Sequence, residues 1–329
     1  MNSNLSVGIP TYNQAQYLRI SVLSAYHQSC RPTEIVVFDD CSTDNTTQVL
    51  EELSLEIKEL KVVRQDQNKG IAINKEACLK ACMGDYIILL DSDDKLEPNY
   101  AETLIQLLEK YPEAGYAHGN VQEIDENDNK TRLRNLFRKE EYIEPDKDLK
   151  RQLSGMRVAA NIILYKKEAL IKIDYFNCTV NFCEDWYMLC QIADVGYGNV
   201  FSNKVLSSYR VWSDSGQVRQ KRKLEEINGY RAVFDEVLIP AFIKRNWNLL
   251  SIRKAKLAKA AEQSKSLSVT YFNKQEKKEI EAAILKLSDH FLVKMYVFLY
   301  TSRLSKLLIY FDLLKFNFKS YIKNKLIKH

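Results

Sequence analysis

Apolar positions in the first hundred residues fall into two alternating rhythms. Short runs, apolar at nearly every position, occur at Leu5 to Ile9, Ile35 to Phe38, Leu60 to Arg64 and Tyr86 to Leu90. Between them, Ala15 to Gln28 and Thr46 to Glu59 place apolar residues at helical spacing. Strands alternating with helices are the mark of a parallel sheet with crossover helices. The run YIILL has no polar position, as a central strand covered on both faces requires. Thr43 or Asp44 is a fitting N-cap for the second helix. Pro98 opens a further helix in which Tyr100, Leu104, Leu107 and Leu108 share a face.

Beyond Ala114 the rhythm is mixed. The polar stretch Glu123 to Arg151 predicts a long insertion or mobile excursion. Glu184 to Ala193 predicts a helix, and Ser207 to Lys223 a strand that runs into a basic loop. Leu224, Ile227, Phe234 and Leu238 predict a helix that stops at Pro240. From there to His329 every signal is helical, with Asn273 and Glu276 as a capping pair. On a helical wheel Val293, Tyr296, Tyr300, Leu304, Leu307, Phe311 and Leu314 share one arc, while Lys294, Lys306 and Asp312 lie away from it. There is no internal repeat, and no uncharged apolar run reaches the roughly 18 residues of a spanning helix. The expected division is an α/β domain over 1–220 and a basic amphipathic helical region over 221–329.

Composition adds a charge asymmetry. The 329 residues are 46% hydrophobic and 28% charged, which excludes a low-complexity body and requires a packed core. The net charge of +5 is the sum of −8 over residues 1–240 and +13 over 241–329. A tail of that sign suits an anionic membrane surface, with packing onto the α/β part or a second copy of the chain as the alternatives. Nucleic acid is not expected, because the lysines are dispersed among apolar residues. The N-terminus has no basic and apolar signal regions, so the expected location is cytoplasmic or peripheral on the inner face of the cell membrane. Seven cysteines form no C-x-x-C pair and predict reduced thiols rather than a zinc site; only Cys78 and Cys82 share a helix face.

The chemistry concentrates where predicted strands end. LLDSDDKLEP puts Asp91, Asp93 and Asp94 just past a buried strand, and ligands of parallel α/β sheets bind at such carboxyl ends. In an extended backbone Asp91 and Asp93 point to one side and suit a hard cation, Mn²⁺ or Mg²⁺, shared with a diphosphate. The alternative is a solvated acidic turn ahead of a helix. Asp39 and Asp40 end another strand, where a carboxylate accepts from a nucleobase or ribose, or merely caps. Pro10, Thr11, Tyr12 and Asn13 end the first.

Taken together, IPTYN, FDDCSTDNT, NKGIAINKEACLKACMGDYIILLDSDD and CEDWYMLCQIADVGYG resemble the family 2 glycosyltransferases of GT-A fold, non-processive bacterial type, over roughly residues 4 to 215. The resemblance implies a Rossmann-like, mostly parallel central sheet flanked by helices, here with a C-terminal all-helical extension. It implies a metal-dependent, inverting hexosyltransferase moving sugar from a nucleoside diphosphate sugar, a UDP-sugar foremost, to a glycan or lipid-linked acceptor of the cell envelope. By matching positions, Pro10, Thr11 and Tyr12 pack on the base and Asp40 bonds it. Asp91-Ser92-Asp93 is the DxD motif, with Asp91 toward the ribose and metal, Asp93 on the metal, and Asp94 in support. Glu184-Asp185 matches the ED motif, whose aspartate is the general base; a partly exposed Asp at a helix start suits that task. Lys75 stands where the family often has the arginine of an Arg-Asn pair and keeps a cation near base or diphosphate. Arg210 belongs to a Tyr-Arg pair without the family's following histidine, and a QxxRW motif is missing. Trp186 and Trp212 are candidates to stack on sugar, against the alternative of core tryptophans. Two rival readings are a silent scaffold acting through the basic tail and a nucleotidyltransferase. The intact Asp91, Asp93 and Asp185 argue against the first, and the lack of a glycine-rich basic N-terminal loop argues against the second.

Overall fold

The computed structural model describes residues 4–175 and 181–302. The first half runs β1 (Leu5–Thr11), α1 (Ala15–Tyr26), β2 (Glu34–Asp39), α2 (Thr46–Glu56), β3 (Leu60–Arg64), α3 (Ile71–Ala81), β4 (Tyr86–Leu89), β5 (Lys95–Leu96) and α4 (Tyr100–Lys110). It continues through β6 (Ala114–Ile124), β7 (Lys130–Arg134), β8 (Tyr142–Ile143), α5 (Pro145–Gln152), β9 (Ile163–Lys166), α6 (Lys167–Lys172), α7 (Glu184–Asp194), β10 (Gly198–Arg210) and α8 (Ser215–Lys221). The helices α9 (Lys223–Ala232), α10 (Ile239–Lys244), α11 (Leu250–Ser264), α12 (Lys274–Leu287) and α13 (Phe291–Thr301) complete it.

The strands form one sheet in the order β3-β2-β1-β4-β9-β6-β10-β5, with β7 added to β6 and β8 to β10. β1 to β4 are mutually parallel, and so are β6 and β10, while β9 runs antiparallel between β4 and β6. The fold is therefore mixed α/β with a mostly parallel sheet flanked by helices. Apolar side chains cover the sheet on both sides, with Ile88 packing into one core and Ile87 and Leu89 into the other. This explains why YIILL has no polar position. The carboxyl ends of β1, β2, β4 and β10 deliver the polar segments to one rim.

Four expectations change. The stretch Glu123 to Arg151 is ordered, because its polar residues find buried partners: Arg138 donates to Asn199 and Asp148 accepts from Tyr116. The basic loop after Arg210 is instead the short helix α8. The chain does not stop at Pro240 but passes through it, because a π-helical turn at Val233–Leu238 precedes α10 and widens the ring that proline would break. Pro98 lies just outside α4, whose N-cap is Asn99. Asn273 and Glu276 form the expected capping box of α12. Asp44 serves two helices, accepting from Thr46 N and from Ala15 N.

The C-terminal helices share α7 with the sheet. Met188, Leu189 and Ile192 face the sheet core, whereas Trp186, Tyr187, Cys190 and Ala193 pack with Phe234, Leu238 and Ile284 in a separate helical core. No helix among the described residues is long and apolar enough to cross a membrane. The arc residues Leu304, Leu307, Phe311 and Leu314, with Lys306, Asp312 and Cys178, lie outside the described residues. The packing at α9 is tight: a Cβ on Gly229 would sit 2.2 Å from the Phe182 carbonyl oxygen. Gly229→Ala is accordingly expected to lower stability by about 1–3 kcal/mol, measured by denaturant unfolding; wild-type stability would contradict the packing.

Candidate active site

A cleft of about 740 Å³ opens at the carboxyl rim of the sheet. Pro10, Thr11 and Tyr12 from the end of β1, Asp40 past β2, and Asp91, Ser92 and Asp93 past β4 line it, together with Arg210 and Trp212 from the end of β10. Thus nine of the expected residues meet in one concavity although they come from four strands. Gln14, Asn68, Asn74, Arg134, Tyr209, Arg219 and Arg222 also line it and were not expected there. For Arg219 and Arg222 the signal was the basic segment itself, whose helical spacing was hidden by its polarity. Arg134 sits on β7, inside the stretch that reads as an excursion.

Asp40 fixes one wall. It is buried, and its Oδ1 accepts from Lys69 N at 2.8 Å and Gln65 Nε2 at 3.1 Å, while Oδ2 accepts from Gly70 N at 2.9 Å. Gly70 has φ +89°, a conformation that glycine takes without strain, and it starts α3. Asn13, with φ 53°, accepts from Thr43 N and so ties the end of β1 to the loop after β2.

The DSD segment is a turn rather than extended chain, since Asp94 N donates to Asp91 O at 3.0 Å. Asp91 and Asp93 therefore reach the cleft through a turn, not through strand alternation. Ser21 Oγ lies 2.8 Å from the Ser92 carbonyl and 2.7 Å from that of Asp94, and its one O–H, donated to either or shared between them, holds the turn from beneath. Asp94 is buried and accepts from Arg210 N at 2.8 Å, so it braces the turn from within. Arg210 borders the cleft with a wholly buried side chain. It donates to the carbonyls of Asp93 and Asp125 and pairs with Asp128 at 2.7 Å, stapling the turn to the β6–β7 hairpin. Trp212 is half-buried, and its Nε1 donates to Asp93 Oδ2 at 2.8 Å. Burial, then the charge of Asp91, raises the Asp93 carboxyl above its ordinary range. Burial and the charges of Asp93 and Asp91 raise Asp94 well above it.

Beneath the turn lies Lys75, 1% exposed, on the inner face of α3. Its Nζ stands 3.6 Å from Asp91 Oδ1, 3.5 Å from Glu184 Oε1 and 3.4 Å from Asp185 Oδ2. Lys75 does not line the cleft, contrary to its expected contact with base or diphosphate; it is held under the floor by its carboxylates. Burial alone would lower its pKa, but Asp185, Asp91 and Glu184 raise it well above the usual lysine value, so it stays charged. Three carboxylates surround one ammonium, an excess of negative charge that shows in Asp185. Burial first, then Glu184 and Asp91, outweigh Lys75 and push Asp185 up to about 7.

Asp185 is the second residue of α7 and is buried, not partly exposed as a helix-start carboxylate suggests, and like Lys75 neither it nor Glu184 lines the cleft; both lie beneath its floor. The cause is packing on both sides of α7. Its Oδ1 has no hydrogen-bond partner among the described residues. Cys183 enters the helix with φ 67°, a left-handed turn that swings Glu184 and Asp185 toward Lys75. Trp186 is away from the cleft, edge-on to Phe234 in the helical core, which removes it as a sugar platform.

For a divalent cation, the donor chemistry fits in part. Asp91 and Asp93 present hard oxygens to the cleft, and burial with the charge of Asp91 raises the Asp93 carboxyl, which a cation there would reverse. Among the described residues no three His, Cys, Asp or Glu side chains form a complete protein cage. Two ligands completed by phosphate oxygens would meet that description.

A family model described as "Glycosyl transferase family 2" matches residues 6–174. The chain is 32% identical over 128 residues to the glycosyltransferase GlyG of Streptococcus pneumoniae serotype 4, covering 39% of this chain and 42% of GlyG. The chain thus spans less than half the length of that relative. Among solved structures, S. aureus TarS 1–349 in complex with UDP superposes with a TM-score of 0.54 at 17% identity, covering 91% of this chain and 89% of that one. A mannosyltransferase from Pyrobaculum calidifontis in complex with GDP-Man and Mn²⁺ gives 0.53 at 17%, covering 91% and 84%. At these identities the likeness is one of fold.

The raised Asp185 predicts a pH effect on stability. Because its folded value of about 7 exceeds the unfolded value near 4, its stabilising contribution is full below about pH 4 and is lost as pH rises through 7. Asp185→Asn should therefore gain melting temperature relative to wild type between pH 5 and 8. A constant difference across that range, by calorimetry, would contradict the assignment.

Proposed function

This chain belongs to glycosyl transferase family 2, and on that premise we propose that it moves a sugar from a nucleoside diphosphate sugar, a UDP-sugar, onto a hydroxyl of a glycan or lipid-linked acceptor in cell-surface polysaccharide synthesis, with inversion. The observation that carries the reading is the single buried ammonium of Lys75 joining the DSD turn to Asp185. It brings the leaving-group side and a candidate base to one centre, as a single displacement needs. Uridine is preferred by analogy with the UDP of the TarS complex.

In this reading the base of the donor lies against Pro10, Thr11 and Tyr12. Asp40 holds the Lys69–Gly70 turn and has lone pairs left for a base N–H. Ser92 and Asp91 face the ribose. Asp91 and Asp93 would hold Mn²⁺ or Mg²⁺ on the diphosphate, and such an ion supplies charge neutralisation for the departing nucleoside diphosphate. Trp212 orients Asp93 through its indole N–H.

Asp185 accepts the proton of the acceptor hydroxyl as its oxygen attacks the anomeric carbon. Lys75 fixes Oδ2 and leaves Oδ1 for that proton. A carboxylate poised near 7 combines a useful ionised fraction at neutral pH with adequate basicity. Glu184 completes the counter-charge around Lys75 and sets the position of its neighbour.

With a nucleotide sugar and acceptor in hand, Asp185→Asn should cut transfer about 10²–10⁴-fold while UDP still binds; near-normal turnover would remove Asp185 as the base. The wild-type rate should rise with pH through about 7, because the ionised form is the active one. Asp93→Ala should abolish the gain in UDP affinity on adding Mn²⁺, and an unchanged gain in titration calorimetry would count against the metal role.

A further inference from the structure

One wall of the cleft carries cations that the donor reading leaves unused. Arg219 of α8 and Arg222 just beyond it both line the cleft, and both guanidinium groups stand over the ring of Phe182, at 5.6 and 5.2 Å from its centroid. Phe182 precedes the Glu184-Asp185 pair by only two and three positions, so the ring that carries these cations lies in the segment leading into the proposed base. Each arginine is fixed along one edge. Arg219 Nε donates to Glu226 Oε1 at 2.9 Å and Nη2 to Tyr230 Oη at 3.0 Å. Arg222 Nε and Nη2 reach Glu225 Oε2 at 3.0 and 2.9 Å, and Nη2 also meets the Asn181 carbonyl. Among the described residues the Nη1 group of each takes no part in these bonds.

The pairing does not consume the charge. Glu226 also accepts from Lys223 and Tyr230, so Arg219 is not needed to neutralise it, and the Arg219 side chain is 57% exposed while Glu226 is 1% exposed. Residues 219–226 carry four basic and two acidic side chains, a local excess of +2. A guanidinium held on one edge and stacked on an aromatic ring offers its other edge to an oxyanion with little conformational freedom left to lose.

We propose that Arg219 and Arg222 form an acceptor subsite for an oxyanion, a phosphate or carboxylate, carried on the acceptor near the hydroxyl that attacks. The proposal rests on the transferase reading, in which the acceptor hydroxyl must reach Asp185 and the donor diphosphate is held at Asp91 and Asp93. The acceptor then meets the Phe182 ring, in the segment leading into the base, and its two cations. The subsite selects an anionic glycan or phosphorylated carrier over a neutral sugar.

Titration calorimetry on the full chain, saturated with UDP and Mn²⁺, tests this with three probes. Methyl glucuronide supplies a carboxylate, glycerol 3-phosphate a phosphate, and methyl glucoside neither. At least one anionic probe should bind more tightly than the glucoside. Arg219→Gln/Arg222→Gln should weaken it ten-fold or more, with UDP affinity unchanged. Arg222→Gln alone, which removes the ion pair to Glu225, the bond to the Asn181 carbonyl and one stack on Phe182 but touches no core residue, should keep the protein folded, should weaken it several-fold, and decides the matter if the double variant fails to fold. Equal binding of all three probes, wild-type affinity in the variants, or a loss confined to UDP would overturn the subsite. Failure of UDP to bind the wild type would count against the donor reading alone, and the probes would still decide the subsite without it.

Discussion

The buried ammonium of Lys75 is the constraint on which the site depends. It draws together Asp91 from the turn after β4 and Glu184 and Asp185 from the start of α7, two segments about ninety residues apart in the chain. A buried lysine with one carboxylate would only offset its own desolvation. With three, the cluster holds excess negative charge, and the excess appears where it is useful, as a carboxylate raised to about 7. Position and protonation of the candidate base thus have the same cause.

Lys75 is itself placed by a chain of local interactions that begins at the nucleotide side. Asp40 accepts from the backbone of Lys69 and Gly70, Gly70 adopts the positive φ that starts α3, and one and a half turns later α3 delivers Lys75 beneath the DSD turn. On the other side, Arg210 and Asp94 pin that turn to β10 and the β6–β7 hairpin. The C-terminal helices enter through α7, which is buried on both faces, and through the close approach of Gly229 to Phe182. What reads as an appended region in the sequence is therefore part of what holds Asp185.

The strands and helices of the first hundred residues were legible because each is periodic and buried on known faces: β3 has the expected bounds, and β1, β2 and β4 lie within two residues of theirs. The rim residues were legible because polar loops follow apolar strands. Less legible was anything decided by pairing between distant segments. Lys75 looked like a ligand contact because nothing local reveals three carboxylates arriving from elsewhere. Asp185 looked partly exposed because it stands at a helix start, and the second buried face of α7 is created by helices beyond residue 223. The polar stretch around Arg138 and Asp148 looked mobile because buried, mutually satisfied polar groups have no hydrophobic signature. Pro240 looked like a stop because a π-helical turn has no simple pattern.

The most direct test of Lys75 as the common anchor is a double-mutant cycle for stability between Lys75→Met and Asp185→Asn, followed by denaturant unfolding at pH 8. Lys75→Met alone leaves the buried Glu184 and Asp185 and the half-buried Asp91 uncompensated and should cost about 3–5 kcal/mol. Asp185→Asn should restore more stability in that background than it adds to wild type, and the difference is a coupling well above the roughly 0.5 kcal/mol expected of independent sites. If the two effects simply add, Lys75 does not hold Asp185, and the account of how this cleft positions its base is wrong.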